Sequence, residues 1–288
     1  MRRQLNQHPK RIFVRNAGVL MPGAFNALAA RIIEAAGHQL VFVTGAGVSN
    51  AYLGMPDLGL LTVTELIANV NAIAAVVQLP LVVDADTGFG NAINVRRTVQ
   101  QLEQAGASAI MLEDQTFPKR CGHFDGKSVV PTEEMTVKIK AAVDARLDDD
   151  LMIIARTDAR AVEGYEAAIA RANSYKEAGA DIIFVEAPLN EDELLRIPQD
   201  VPGPHMCNMV IGGKTPILPR AKLAEAGYAG ICYANAALQS AMLAMRKTME
   251  HLNEHGSSDG LEDLLLSFEE RQQVLRTAQF KELEERYK

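Results

Sequence analysis

Short apolar runs alternate with longer amphipathic stretches along almost the whole chain. The runs are apolar at consecutive positions and rich in β-branched residues, which is typical of strands buried on both faces of a parallel sheet. They lie at 18–24, 40–46, 79–86, 108–114, 151–159, 181–188, 204–210 and 229–235. The stretches between them have helical spacing. Eight such units predict an α/β fold, a (β/α)8 barrel of the TIM type, with an open doubly wound sheet as the alternative.

Local signals mark several of the helix boundaries. The spacing of TVTE at Thr62–Glu65 is that of a capping box and predicts a helix start. Three helical stretches close with EAG or QAG, which places glycine where a left-handed C-cap is needed. The first βα turn lacks G-x-G-x-x-G, and the segment TGAGVSNAYLG lacks the Lys-Ser/Thr pair of a Walker loop. These absences weaken a nucleotide-binding interpretation.

Both ends of the chain lie outside the eight units. Residues 1–11 are basic and lack an apolar h-region with a cleavage site, which favours a solvated arm over a targeting peptide. From Ile12 onward the pattern indicates a strand. The segment 256–288 is amphipathic with helical spacing and is expected to pack against this or a neighbouring subunit. We therefore predict one barrel domain over residues 1–288, with an N-terminal arm and a C-terminal helical extension.

Composition narrows the class of protein. The chain has 288 residues, 48% of them hydrophobic and 23% charged, which is ordinary for a globular protein. A net charge of −7 offers no electrostatic footprint for nucleic acid, and no apolar run approaches the ~20 residues of a membrane span. The three cysteines are odd in number and lack zinc-like pairing, so they predict no disulfide framework. These features favour a soluble, cytoplasmic protein.

Polar side chains end most of the predicted strands. In a barrel of this kind, chemistry is located at the carboxyl ends of the strands. The polar residues there are Thr44, Asp84, Asp86, Glu113, Asp114, Arg156, Asp158, Glu186 and Asn208. Each residue alone is more simply explained as a helix cap or a solvated loop side chain. Because six successive strands bring such groups to the same rim, the set predicts a functional site.

The acidic residues of this set predict a magnesium site. Asp84 and Asp86 are two residues apart, so in a strand their side chains share one face. Two carboxylates held together raise each other's pKa unless a cation is present. Glu113, at the end of the neighbouring strand, would add a third carboxylate. Ligation by oxygen alone suits Mg²⁺ and also Mn²⁺. Zinc is disfavoured, because the strand-end set contains no histidine and His205 lies at the start of its strand.

Arg156 lies inside an apolar run, where an unpaired guanidinium would be costly. It is predicted either to form a structural salt bridge with Glu186 or Asp84, or to bind a substrate carboxylate. In the second case it would also stabilise negative charge that develops during the reaction.

The segment FPKRCGHFDGKSVVP, residues 117–131, is a long connection between a strand and the helix that starts near TEEM. Such loops are commonly lids. Lys119, Arg120 and His123 are predicted to lower the pKa of Cys121 and to prepare it for proton transfer or nucleophilic attack. A zinc site would need ligands that this loop lacks, and an inert buried cysteine would not be surrounded by cations and glycines.

Five motifs resemble those of a known family. DADTGFGN, LEDQTFPKRCGH, IIARTDA, FVEAP and NMVIGGKTP are similar, in this order, to the isocitrate lyase/phosphoenolpyruvate mutase superfamily. The K-R-C-G-H stretch resembles its lyase branch, which includes 2-methylisocitrate lyase and 2,3-dimethylmalate lyase. The resemblance implies a (β/α)8 barrel, an Mg²⁺ site and a homotetramer that exchanges C-terminal helices between subunits.

The resemblance also implies roles for individual residues. The implied site comprises the metal ligands Asp84, Asp86 and Glu113 (in part through waters), the catalytic residues Asp57, Lys119, Cys121, His123 and Arg156, and the substrate-binding residues Thr44, Gly45, Ala46, Gly122, Glu186 and Asn208. The implied reaction cleaves a 2-hydroxy di- or tricarboxylic acid into a 2-oxo acid and a carboxylate. An enolate-like intermediate forms, and Cys121 protonates it.

The chain departs from the lyase pattern at two places. Ile211 stands where many lyases of this branch have Glu, and Ala234-Asn235 stands where Pro is common. These departures favour a phosphonate mutase as the alternative within the superfamily. An oxaloacetate-cleaving enzyme of the same superfamily is a further alternative. A non-catalytic metabolite-binding barrel would be expected to lack some of the rim residues. A phosphate-binding barrel would need a glycine-rich loop after strand seven or eight, which VIGGKTP partly provides.

Overall fold

Eight strands form a closed barrel in a computed structural model, which describes residues 9–288. Each strand pairs in parallel with the next along the chain, and the last pairs with the first. Strands β1 to β8 are Val19–Ala24, Val41–Val43, Leu81–Asp84, Ala109–Glu113, Met152–Thr157, Ile182–Val185, His205–Asn208 and Tyr228–Tyr233. The predicted (β/α)8 barrel is confirmed, and the open doubly wound sheet is wrong because no strand edge is left unpaired among these eight.

Helices surround the barrel and extend beyond it. Helices α1 to α12 are Pro9–Ile12, Ala27–Ala35, Gly45–Val48, Val63–Ala74, Ala92–Gln104, Thr132–Ala145, Tyr165–Glu177, Glu191–Asp200, Arg220–Ala226, Ala236–His255, Phe268–Val274 and Thr277–Arg286. Short π and 3-10 turns lie at Ser49–Leu53 and Ala159–Ala161. None of the helices between residues 9 and 288 combines the length and the apolar character that crossing a bilayer requires.

The predicted capping signals are present. The backbone N–H of Glu65 donates to the Thr62 hydroxyl at 3.3 Å, and the Thr62 N–H donates to the Glu65 carboxylate at 2.8 Å. This reciprocal pair starts α4 and confirms the capping box. The glycines that end the EAG and QAG segments, Gly106, Gly179 and Gly227, have φ of +107°, +106° and +121°. Only glycine adopts these values without strain, so these predicted helix ends are confirmed as well.

Two apolar layers build the core. One lies between the strands and the outer helices and includes Val83, Ile153 and Ile183. The other fills the barrel itself, where Met21, Phe42, Met111, Phe184 and Met206 meet. The strands are therefore covered on both faces, which explains their consecutive apolar residues. The inner layer also closes off the lower barrel and leaves space at the carboxyl ends of the strands.

The strand predicted from Ile12 onward is wrong. Pro9–Ile12 is a short helix, and the first strand begins at Val19. Ile12 and Phe13 are buried in the inner apolar layer, so their hydrophobic character reflects packing beneath the barrel and not strand pairing. Residues 1–8 of the predicted basic arm lie outside the described residues.

Most strands are shorter than their apolar runs predicted. The second run continues past Val43 into TGAG, but Thr44 caps a helical turn there and accepts a hydrogen bond from the Gly47 N–H at 3.1 Å. The third strand ends at Asp84, and Asp86 follows with φ of +48°. Aspartate tolerates this left-handed conformation better than most residues. The chain thus leaves the sheet earlier than the hydrophobic pattern indicates.

The C-terminal segment is helical but poorly covered. Helices α11 and α12 contain no buried residue, and Phe268 and Phe280 are 73% and 58% exposed. An ion pair between Arg276 and Glu34 connects this segment to α2. Helix α10 likewise exposes several methionines on one side. The extension therefore presents an apolar surface that this subunit alone does not bury.

Candidate active site

A cavity of about 200 Å³ opens at the carboxyl ends of the strands. Its deeper lining is apolar and comes from the inner core, namely Phe42, Met111, Phe184 and Met206. Its upper lining is polar and comes from the strand ends and from the loop that contains Cys121. A polar rim above an apolar floor suits a small ligand that carries charged groups.

The acidic side chains at the end of β3 converge on one point. A Cβ atom placed on Gly45 would lie 3.1 Å from Asp86 Oδ1 and 3.2 Å from Asp84 Oδ2. Both carboxylates therefore face Gly45, which follows the neighbouring strand β2. The convergence does not arise as the sequence suggested, because Asp86 lies beyond the strand and reaches this position through a left-handed turn.

Lys119 occupies the space beside these carboxylates. Its Nζ atom lies 2.7 Å from Asp86 Oδ1 and 2.5 Å from Asp57 Oδ1. The side chain of Lys119 is buried, and an unpaired ammonium there would be very costly. The loop that carries Lys119 is therefore held to the acidic end of the site by two ion pairs.

The described residues fit Mg²⁺ bound partly through water. Among these residues, no group of three or more His, Cys, Asp or Glu side chains is placed to hold one ion directly. Two of the predicted ligands are paired with cations instead, Asp86 with Lys119 and Glu113 with Arg156. However, Oε1 of Glu113 is buried without a hydrogen-bond partner. Mg²⁺ usually keeps several waters and takes one or two carboxylates directly. The all-oxygen donor set around Asp84 suits this mode of binding.

Burial shapes the acidity of these groups. It raises the pKa of Asp84 and Glu113, although the nearby charges of Lys119 and Arg156 oppose the shift. It also raises the pKa of Asp86, to about 6, with Asp84 and Asp57 adding to the effect and Lys119 opposing it. A bound cation would favour the ionised forms of all these carboxylates.

Arg156 is surrounded by three carboxylates. Its Nε atom lies 3.2 Å from Glu113 Oε2, and its Nη2 atom lies 3.3 Å from Glu186 Oε2. Nε and Nη2 also donate to the two oxygens of Asp158 at 2.8 and 3.1 Å. The predicted salt bridge to Glu186 is therefore present, while Asp84 is not a direct partner. Since Arg156 also lines the cavity, its guanidinium remains available to an anionic ligand.

Asp158 is tied into a buried network that sequence reasoning assigned no role. Its backbone N–H donates to Asp114 Oδ1 at 2.8 Å. The other oxygen of Asp114 accepts from the hydroxyls of Thr157 and Tyr175 at 2.7 and 2.8 Å. Burial alone would raise the pKa of Asp158, but the charges of Arg156 and Lys127 lower it to about 2. Asp158 is therefore a fixed anion.

The loop that connects β4 to α6 is folded back on itself. Gln115 and Val129 form an isolated antiparallel bridge, and the Thr116 N–H donates to Ser128 O at 2.9 Å. The Gln115 side chain also accepts from the Arg120 N–H and donates to its carbonyl at 3.0 and 2.8 Å. These contacts make residues 115–131 a compact unit, which we call the Cys121 loop.

Cys121 lines the cavity from this loop, and its backbone N–H donates to Asp57 O at 3.1 Å. The prediction that neighbouring cations lower its pKa is wrong. Burial raises the pKa of the thiol, and the charges of Asp57 and Glu186 add to this effect, while the His123 backbone N–H and the Arg156 charge oppose it. Lys119 is committed to carboxylates, and Arg120 faces solvent. A thiol in this environment stays protonated near neutral pH.

Gly122 brings the Cys121 loop into close contact with the rim. A Cβ atom on this residue would lie 2.4 Å from Arg156 Nη2 and 2.6 Å from Glu186 Cγ. Such distances are far below a normal contact, so any side chain at position 122 would push the loop away from the rim.

His123 joins the Cys121 loop to the segment that follows β7. Its Nδ1 atom accepts from the Lys214 N–H at 3.2 Å, and its Nε2 atom lies 3.6 Å from Glu186 Oε1. Burial lowers the pKa of His123, with the Glu186 charge opposing the shift. A second contact between the two segments joins Lys214 to Asp125 at 2.6 Å. The neutral imidazole therefore lies between two covering segments of the cavity.

The remaining predicted residues occupy the rim as well. Thr44, Ala46 and Asn208 line the cavity, and Oδ1 of Asn208 is buried without a hydrogen-bond partner. His205, by contrast, is buried at the opposite end of β7, where its Nε2 atom lies 2.9 Å from Val201 O. All fourteen residues of the predicted site thus lie in or beside one cavity. His205, which was not predicted to belong to the site, lies away from it.

Two further residues border the site without a predicted role. Asn235 lines the cavity, and its Oδ1 atom is buried and unpartnered. Lys127 is buried in the Cys121 loop and contacts both Asp158 and Gly122 O. Asp158 was among the strand-end residues that the sequence selected, although it was assigned no individual role. Lys127 carried no such signal, since its sequence context is that of an exposed loop lysine.

Known proteins with similar sequences share this architecture. A 2,3-dimethylmalate lyase of Eubacterium barkeri is 46% identical over 269 residues, which cover 93% of each chain. A 2-methylisocitrate lyase of Aeropyrum pernix is 44% identical over 247 residues, covering 86% of this chain and 79% of the relative. The crystal structure of a phosphonopyruvate hydrolase complex with oxalate and Mg²⁺ superposes with a TM-score of 0.87 at 33% identity, covering 100% of this chain and 99% of the other.

The family profile described as phosphoenolpyruvate phosphomutase matches residues 8–253. This range contains all eight strands and every residue of the predicted site. The profile, the identities to the two lyases and the closed barrel agree with the five motifs read from the sequence. The chain therefore belongs to the phosphoenolpyruvate mutase/isocitrate lyase superfamily.

Proposed function

We propose that the protein is an Mg²⁺-dependent carbon–carbon lyase that cleaves a 2-hydroxy carboxylic acid into a 2-oxo acid and a second carboxylate. The observation that carries the proposal is the position of Cys121. Its thiol lines the same cavity as Arg156 and Asp84, so a proton donor faces the groups that would bind a carboxylate substrate. The similarity to two proteins named as lyases supports the same reaction class.

The proposed reaction starts at the 2-hydroxyl of the substrate. A base in the site takes the proton of the 2-hydroxyl, and the C2–O bond gains double-bond character as the C2–C3 bond breaks. The electron pair of that bond moves onto C3 and its carboxylate as an enolate-like anion. Cys121 then donates its proton to C3, and the proton held by the base restores the thiol. The raised pKa of Cys121 keeps the thiol protonated until the carbanion forms.

The residues around the cavity have separate tasks in this scheme. Asp84, Asp86 and Glu113 would hold Mg²⁺, in part through water, and the ion when bound supplies positive charge to the C1 carboxylate and the 2-oxygen. Thr44, Gly45 and Ala46 are proposed to contact that carboxylate at the end of β2. Arg156 is proposed to stabilise the negative charge that the 2-oxygen carries after it loses its proton. Asp57 holds Lys119 at the acidic end of the site.

The lining of the cavity favours a substituted malate over a tricarboxylic acid. Among the described lining residues, Arg156 is the one side chain with a permanent positive charge, and three carboxylates already surround it. The part of the lining near Cys121 includes the apolar residues Phe124, Val210 and Ile211. A third substrate carboxylate would lose its hydration there without a new cation. An alkyl substituent would instead gain from burial.

A substrate panel tests the proposal. The purified protein is incubated with Mg²⁺ and 2,3-dimethylmalate, 2-methylisocitrate, isocitrate, oxaloacetate or phosphonopyruvate, and release of 2-oxo acid or of phosphate is followed. We expect the highest kcat/KM on the alkyl-substituted malate. Turnover of 2-methylisocitrate alone would keep the reaction class and change the substrate. No cleavage of any hydroxy acid would contradict the lyase function.

A phosphonate enzyme is the second candidate. The matching family profile carries a mutase description, and Asn235 places an unpartnered amide oxygen at the cavity, where the lyase pattern has a proline. Phosphonopyruvate would contact the same metal and Arg156. Rearrangement or hydrolysis of phosphonopyruvate in the panel, without cleavage of hydroxy acids, would favour this candidate.

We further propose that the C-terminal helices join four subunits, in line with the helix exchange that the family resemblance implies. Met242, Met245 and Met249 expose an apolar side of α10, and Phe268 and Phe280 do the same in the following helices. Burial of such a patch against another subunit is strongly favourable.

Sedimentation equilibrium at micromolar protein is therefore expected to give four times the chain mass of 31.3 kDa. Phe280→Asp should lower this mass by placing a charge in the apolar surface, while Lys281→Gln on the same helix should not. A monomeric mass for the unmodified protein would contradict the assembly.

A further inference from the structure

Lys127 is a buried cation in the middle of a surface loop. Its side chain is 2% exposed, and that of its partner Asp158 is fully buried. The ammonium lies 2.7 Å from Asp158 Oδ1 and also donates to the carbonyl oxygen of Gly122. Burying a lysine is costly unless such partners compensate for the lost water. The contacts with Asp158 and the Gly122 carbonyl provide this compensation.

This contact joins two parts of the molecule that meet at the cavity. Gly122 lies in the Cys121 loop and directly follows Cys121 in the chain. Asp158 lies at the end of β5 and binds the guanidinium of Arg156 through both oxygens. Lys127 therefore connects the backbone beside the thiol to the anion that orients Arg156.

The barrel side of the contact is rigid. The Asp158 N–H donates to Asp114, and Asp114 accepts in addition from Thr157 and from Tyr175 of helix α7. These groups are all buried. Asp158 is therefore held in place by the barrel and not by the Cys121 loop.

The loop side of the contact belongs to a separately folded unit. The ends of residues 115–131 pair with each other, and the unit is joined to the rest of the site by contacts that include the Cys121 N–H, His123 and two lysine side chains. Lys119 makes one connection, to Asp57 and Asp86 at the acidic end of the site. Lys127 makes another on the opposite side of Cys121 in the chain, away from the carboxylates that would bind the metal.

We propose that Lys127 is a positioning residue that latches the Cys121 loop onto Asp158 and thereby holds the thiol over the cavity. Lys127 does not itself line the cavity and contacts none of the proposed metal ligands, so it acts through the Gly122 carbonyl and Asp158. The inference rests on the proposed function in one respect, namely that Cys121 is the proton donor.

Removal of the ammonium should weaken the closed state. Lys127→Met keeps the length of the side chain and removes two hydrogen bonds made by a charged donor. We expect kcat to fall about 10- to 100-fold and KM to change less than about threefold, because the substrate still binds at the strand ends while the thiol is held less often in place. A general loss of fold would also lower the apparent kcat without changing KM, so the kinetics are interpreted together with the reactivity of the cysteines.

The reactivity of Cys121 provides a readout that needs no substrate. The rate of alkylation by iodoacetamide is measured for each cysteine by mass spectrometry over a range of pH. We expect the rate at Cys121 to rise about 10- to 100-fold in Lys127→Met at every pH, since a more open loop exposes the thiol more often. Cys207 is buried in the core and does not line the cavity, so it should stay unreactive and reports on unfolding.

Two further variants complete the experiment. Lys127→Arg retains a charged donor for Asp158 and should recover a large part of kcat and of the protection of Cys121. Arg120→Met removes a cation from the same loop, but its side chain is exposed, so it should behave as the unmodified protein does.

Unchanged kcat and unchanged alkylation in Lys127→Met would overturn the latch. An equal gain in reactivity at Cys207 would also overturn it, because it would show that Lys127 supports the fold as a whole. If the alkylation changes as expected but the substrate panel shows no cleavage, the latch stands and the proposed lyase function fails.

Discussion

Cys121→Ser is expected to lower kcat by about 100- to 10,000-fold on the best substrate, with little change in KM, which is the range for loss of a general acid. A serine hydroxyl is a far weaker acid than a thiol and cannot deliver a proton to the carbanion at a comparable rate. The substitution is nearly isosteric, so the hydrogen bond from its backbone N–H to Asp57 O should remain. Steady-state kinetics on the purified variant measure the effect.

Cys207→Ala is the matched control for this substitution. Cys207 is buried in a separate apolar cluster and does not line the cavity, so its loss should leave most of kcat intact. A Cys121→Ser variant that retains more than about a tenth of kcat would contradict the proton transfer, since loss of a general acid costs more than this. That result would favour the phosphonate rearrangement, in which no carbanion is protonated.

Asp86→Asn should abolish turnover, and exhaustive treatment with EDTA should do the same to the unmodified protein. The amide keeps the shape of the side chain but removes the charge that would attract Mg²⁺. Because the pKa of Asp86 is raised to about 6, protonation competes with metal binding as the pH falls through this value. The affinity for Mg²⁺, measured by titration of activity, is therefore expected to weaken at acidic pH.

Asp144→Asn removes a charge from an exposed position on α6 and serves as the control, with thermal unfolding to check that both variants fold. Addition of Mg²⁺ after EDTA should restore the unmodified protein but not Asp86→Asn. Full activity in the absence of any divalent cation would show that these carboxylates serve another purpose.

The sequence contained enough information to predict the architecture, because buried strands and capped helices have local signatures. The capping box at Thr62 and the glycines that end α5, α7 and α9 are such cases. Strand ends were less predictable. TGAG and DADT continue the predicted strands without an evident stop signal. Only the tertiary arrangement makes Thr44 a helix cap and places Asp86 in a left-handed turn.

The site was predictable in its membership but not in its electrostatics. Strand-end polar residues identified the rim, since parallel strands deliver their carboxyl ends to one side. The acidity of Cys121 was predicted with the wrong sign, because counting nearby cations ignores which carboxylates neutralise them. Lys119 is paired with Asp57 and Asp86, and this pairing depends on contacts between distant segments. The ion pair between Lys127 and Asp158 likewise depends on a contact between distant segments.

The close approach of Gly122 to Arg156 and Glu186 has a consequence for protein engineering. The wall of the cavity on this side is main chain, so its shape cannot be tuned by changing a side chain there. Variation must instead come from the segment after β7 and from the start of α10, where Val210, Ile211 and Ala234 line the same space. Libraries that aim at longer or branched acids should randomise these positions and leave residue 122 as glycine.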